Sequence, residues 1–132
     1  MRQSAPRHAL LCLLLLSACA AAQAQNTALH RTVIQKGDVA APEREAIVAK
    51  VEIDKGGAAG RHTHPGDEIS YVTEGEGEII IDGEDPRRLK AGDAFVVPAG
   101  KVHDARNTGG GPLKLVGVYV VDKGKPLATP AK

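Results

Sequence analysis

The stretch Gly56–Gly75, GGAAGRHTHPGDEISYVTEG, constrains this chain more than any other. His62 and His64 flank a single residue, and a β-strand alternates its side chains between faces with a period of two. Both imidazoles therefore project from one face, with Thr63 on the other. Pro65-Gly66 interrupts the strand and turns the chain. Glu68, which opens the β-rich run Ile69-Ser70-Tyr71-Val72-Thr73, can then face the same point. Two converging imidazoles and a carboxylate suit a divalent first-row transition metal (iron, manganese, nickel, copper or zinc) better than calcium, which prefers all-oxygen sites.

A second stretch, Gly92–Asn107, reads GDAFVVPAGKVHDARN. An apolar strand over Ala94–Val97 runs into Pro98-Ala99-Gly100, where proline fixes φ and glycine permits positive φ. This turn is expected to carry His103 back across a neighbouring strand as the fourth ligand. Singly, a histidine in a strand is ordinarily a partly exposed polar residue, and a glutamate near a turn a solvated one. Their identity and spacing together point to a metal. Gly75, Gly92 and Gly100 are read as turn residues.

The two stretches resemble the two motifs of the cupins. The first, G-x5-H-x-H-x3,4-E-x6-G, is matched by Gly56, His62, His64, Glu68 and Gly75. The second, G-x5-P-x-G-x2-H-x3-N, is matched by Gly92, Pro98, Gly100, His103 and Asn107. The resemblance implies an all-β, single-domain jelly-roll β-barrel that holds one divalent metal through His62, His64, Glu68 and His103. It does not imply one activity, because the same barrel serves metal-dependent oxygenases (oxidoreductases), isomerases, storage proteins and ligand-binding modules.

Residues 1–24 read as an export leader: Arg2 and Arg7 precede the short apolar run Ala9–Leu16, and small residues follow. Two cleavage sites compete. Ala22-Gln23-Ala24 fits ordinary signal peptidase, whereas Leu16-Ser17-Ala18-Cys19 resembles the bacterial lipoprotein box and would attach the protein to a membrane through a lipidated Cys19. Either route gives an exported protein, periplasmic or secreted in the first case. Cys12 and Cys19 are the only cysteines, so after cleavage neither a disulfide nor thiolate ligation is available within the domain.

Residues 25–45 are read as a linker followed by an edge strand at Arg31–Gln35, a strand that in cupins often pairs with a partner subunit and so leaves a homodimer open. Residues 46–122 form the expected barrel. Within them Ile47, Ala49, Val51 and Ile53 alternate with Lys50 and Glu52, and Glu78–Ile81 and Arg87–Leu89 flank an Asp82-Gly83 turn. Leu113–Val121 is a long β-branched run. Residues 123–132, with Pro126 and Pro130, are expected to be loosely ordered.

Charge is nearly balanced, with 17 basic and 16 acidic residues, and Tyr71, Phe95 and Tyr119 are the only aromatics. Nucleic-acid binding has neither a basic patch nor stacking surfaces to rest on. A small-molecule substrate or ligand is the expected partner. Residues in strand phase with the ligands, Ser70, Val72, Ala105 and Asn107, are poor acids and bases. Metal-centred oxygenase or isomerase chemistry and non-catalytic ligand binding both remain as readings.

Overall fold

Alternating β-branched and polar residues give strands with one dry and one wet face, and such strands must pair and stack to bury the dry one. In the computed structural model, which describes residues 28–132, they do so as two five-stranded antiparallel sheets. The expected leader, its two candidate cleavage sites and Cys19 lie outside the described residues. The strands are β1 (Leu29–Asp38), β2 (Arg44–Ile53), β3 (His62–Thr63), β4 (Gly66–Glu74), β5 (Glu76–Ile81), β6 (Arg87–Lys90), β7 (Ala94–Val97), β8 (His103–Asn107), β9 (Leu113–Asp122) and β10 (Thr129–Pro130). The described residues contain no helix.

The first sheet runs β1-β2-β9-β4-β7 and the second β10-β3-β8-β5-β6, the paired-sheet arrangement of a jelly roll. Strand β2 shows the expected alternation, with Ile47, Ala49, Val51 and Ile53 all buried. The hairpin across Asp82-Gly83 is also as expected: Glu76–Ile79 of β5 face Arg87–Lys90 of β6. Gly75, Gly92 and Gly100 take positive φ between strands, the backbone region glycine enters at least cost.

Two apolar clusters fill the space between the sheets. The larger includes Val72, Ile79, Phe95, Val97, Leu113 and Leu115; the smaller gathers Ile47, Ala49, Tyr119 and Val121. The candidate site lies between them.

Two expectations about the chain ends need correction. Leu29 and His30, read as linker, already belong to β1, which continues to Asp38. The strand's extent is set by backbone pairing with β2 from Leu29↔Ile53 to Asp38↔Glu45, which leaves little trace in the apolar pattern of an edge strand. The tail is not loose. Thr129 and Pro130 pair with Thr63 and His62, and the Ala131 amide donates to Arg61 O at 2.9 Å. Pro130 lies on an edge strand, where a missing N–H is tolerated.

Candidate metal centre

The Pro65 corner moves the chain from one sheet to the other. His62 lies in β3 of the second sheet, Glu68 in β4 of the first, and His64 at the crossing between them. His103 arrives on β8 directly opposite His62. The structure thus brings together all four residues singled out in the sequence: their nearest ligand atoms lie within 4.8 Å of one another, and all four side chains are buried.

Each imidazole is held by a backbone carbonyl. His62 Nδ1 contacts Gly60 O at 2.6 Å, His64 Nδ1 contacts Leu127 O at 2.5 Å and His103 Nδ1 contacts Lys101 O at 3.0 Å. A carbonyl only accepts, so each Nδ1 carries the hydrogen, and in the neutral ring each Nε2 presents a lone pair. Those lone pairs meet. His62 Nε2 and His64 Nε2 are 3.2 Å apart, and Glu68 Oε2 lies 3.0 Å from His64 Nε2 and 3.1 Å from His103 Nε2. Acceptors this close repel unless positive charge sits between them. Donor atoms at right angles around one ion, each about 2.1 Å from it, are separated by about 3.0 Å. The residues present therefore fit a first-row transition ion.

Without an ion, a proton on Nε2 of His64 or His103 turns the same contacts into hydrogen bonds to Glu68. Burial opposes ionisation of Glu68, but hydrogen bonds from His103, His64 and Ser70 outweigh it and hold its carboxyl below the usual carboxylate range. The Ser70 hydroxyl donates to Oε1 at 2.6 Å, leaving Oε2 directed at the imidazoles. Burial, reinforced by the neighbouring His103 and His64, pushes His62 down to about 4, although Gly60 O favours its charged form. His62 is thus neutral at physiological pH.

The surroundings differ from the sequence reading in several places. Asp104, next to His103 on β8, is buried and accepts from the Gly60 amide at 2.9 Å, so it fixes the loop whose carbonyl orients His62. Of the residues in phase with the ligands, Ser70 touches Glu68 and Ala105 lines the adjoining cavity. Val72 belongs to the apolar core, and Asn107 is occupied with Ile53 O, Gly111 O and the Gly109 amide. Tyr71, three residues after Glu68 on β4, is half exposed.

Two residues were missed. Tyr119 on β9 stands opposite Glu68 in the β4–β9 register, and its ring centroid is 4.8 Å from that of His64. A methyl group on Gly117 would lie 2.6 Å from the phenol oxygen, so glycine there makes room for the ring to lie along its own strand. Burial, with the Glu68 charge adding to it, pushes the phenol up to about 12 and keeps it protonated. Arg31 on β1 places its guanidinium carbon 5.8 Å from the Tyr119 ring centroid. Arg31 and Tyr119 line one cavity of about 20 Å³ together with His62, Glu68 and His103.

The His62 shift predicts a pH dependence of metal-free stability. Because the folded protein resists protonating His62 while the unfolded chain does not, stability present above about pH 6.5 is lost as pH falls toward 4. Urea unfolding of chelated protein should show about 2 kcal/mol less stability at pH 5 than at pH 8 from this group. Equal stability at the two pH values would contradict a desolvated, neutral His62. The Glu68 contribution is lost only in more acidic solution, below the usual carboxylate range.

Comparison with known proteins agrees with this architecture. The family model described as the cupin domain matches residues 49–121, more than half of the chain and including all four clustered residues, and the chain belongs to that family. The dimethylsulfoniopropionate lyase DddQ of Ruegeria pomeroyi is 42% identical over 45 residues, covering 34% of this chain and 22% of the lyase. Its crystal structure aligns with a TM-score of 0.60 at 27% identity, over 65% of this chain and 43% of that one. A germin-like protein of Arabidopsis thaliana is 32% identical over 77 residues, 54% of this chain and 35% of the relative. A double-stranded β-helix protein of Klebsiella pneumoniae aligns with a TM-score of 0.64 at 26% identity, over 81% of this chain and 90% of that one. The chain thus spans about a third or less of the two curated relatives.

Proposed function

We propose that this protein is a small metal-dependent cupin in which His62, His64, Glu68 and His103 hold one divalent transition ion and a small molecule reacts beside it. The observation that carries this reading is the trio of Nδ1 anchors at Gly60, Leu127 and Lys101, which turn three Nε2 lone pairs and Glu68 Oε2 toward one point. An ion bound there supplies a Lewis acid that polarises a carbonyl or carboxylate oxygen, and iron or manganese also serves dioxygen chemistry. The chain's own residues supply a small, mostly apolar cavity with Tyr119 as a protonated phenol beside His64. Partial likeness to a lyase supports catalysis and adds elimination to the oxygenase and isomerase chemistry expected from the sequence.

A second reading, a non-catalytic ligand-binding module, is favoured by the small size of the cavity, about 20 Å³. Elemental analysis of natively purified protein should find about one transition ion per chain. Iron-, manganese-, nickel- and zinc-loaded forms can then be screened against small enolisable and catecholic compounds while oxygen consumption and products are followed. Binding without turnover in every form selects the module. Protein that carries no metal and takes up none after chelation contradicts the metal-dependent reading.

A further inference from the structure

Arg31 is the cationic side chain that lines the cavity beside the candidate metal site. Its Nε is sealed from solvent and has no hydrogen-bond partner, the one such side-chain atom among the described residues. A buried guanidinium donor left unpaired costs stability, and native structures rarely retain one without a reason. The other arginines with side-chain contacts find oxygen partners: Arg44 pairs with Asp122, Arg61 with Asp82 and Arg106 with Asp104, and Arg87 donates to Ala94 O. Arg31 forms no ion pair among the described residues.

Its placement gives the reason. On β1 it stands opposite Val51 of β2, on the inward face, and it leans over the Tyr119 ring at the wall of the cavity shared with His62, Glu68 and His103. Glu68 is the only carboxylate lining that cavity, and both its oxygens are engaged by Ser70, His64 and His103. The remaining walls are apolar, among them Val51, Ile53, Phe95 and Leu115. A guanidinium with its Nε unpaired and a candidate metal site with three of its four residues on the wall of the same largely apolar cavity describe a site for a small anion.

We propose that Arg31, with the Tyr119 hydroxyl beside it, is the subsite that receives the carboxylate of a small carboxylic acid whose other end faces the quartet. This rests on the metal-dependent reading above and names its substrate class. A guanidinium meets a carboxylate through paired N–H donors, which a neutral amide of the same shape cannot reproduce. The cavity limits the ligand to a few heavy atoms.

The test is calorimetric titration of zinc-loaded full-length protein with acetate and with its neutral isostere acetamide, in wild type, Arg31→Gln and Arg31→Lys. Metal content and circular dichroism are measured for each. Wild type should prefer acetate over acetamide by at least about tenfold. Arg31→Gln should lose that preference while keeping its metal and its fold, and Arg31→Lys should restore part of it. Because the substitution removes a buried unpaired donor, Arg31→Gln should also melt no lower than wild type. Acetate affinity unchanged in folded, metal-loaded Arg31→Gln overturns the proposal. If zinc does not bind but acetate still distinguishes wild type from Arg31→Gln, the anion subsite stands and the metal reading fails.

Discussion

His103→Ala and His62→Ala are expected to weaken divalent metal binding on the order of a hundredfold to a thousandfold each. A four-ligand site of this kind is worth about 10–16 kcal/mol, so one ligand carries about 3 kcal/mol or more. The loss is not buffered by neighbours, because the described residues offer no fifth histidine or carboxylate in the cluster. His62 and His103 face each other across β3 and β8, and each owes its direction to a carbonyl within two residues of its own position. Substituting either therefore removes a ligand without disturbing how the other is held. His30→Ala is the control: His30 is exposed, pairs with Asp54 and lies outside the cluster. Competition against a chelating dye measures the affinities. A His103→Ala protein that binds metal as tightly as wild type and as His30→Ala would remove His103 from the ligand set.

The quartet was legible because strand periodicity acts locally. His62 and His64 share a face for the same reason that any residues two apart do, and Pro65 and Pro98 mark where the chain changes direction. The alternation in β2 and the Asp82-Gly83 hairpin were legible on the same grounds. Arg31 and Tyr119 were not, since nothing within a few residues of Arg31 signals the site and Tyr119 has only one slight cue nearby. Tyr119 reaches it through the pairing of β9 with β4, and Arg31 through the pairing of β1 with β2. Both are long-range registers, which local pattern leaves undetermined. One local signal existed: in the β-branched run of β9, Gly117 breaks the pattern two residues before Tyr119, as expected where a strand must admit a bulky neighbour. The tail misled for the opposite reason. Two prolines suggested looseness, but the tail's order comes from partners far back in the chain, and proline at a sheet edge forfeits nothing.

That tail underlies the second large effect. A chain ending at Lys125 should bind the metal about 10- to 100-fold more weakly than the full-length protein, although it retains all four ligands. Leu127 O is the acceptor that fixes His64 Nδ1, and no other contact to that nitrogen is present among the described residues. Without it the imidazole is free to rotate or to change tautomer, and its Nε2 lone pair is no longer committed to the quartet. The Leu127 side chain also packs against the cluster of Ile47, Ala49, Tyr119 and Val121, so its loss loosens the ring that lies beside His64. A chain ending at Ala128 separates the two contributions of the tail. It keeps the Leu127 carbonyl but loses the β10 pairing with His62 and Thr63 and the contacts of Ala131 and Lys132 with Arg61. The expected order of affinity is full length, then the chain ending at Ala128, then the chain ending at Lys125, read by dye competition on proteins whose β-sheet content is checked by circular dichroism. If the chain ending at Lys125 is folded and binds metal as tightly as the full-length protein, the carbonyl of Leu127 does not position His64.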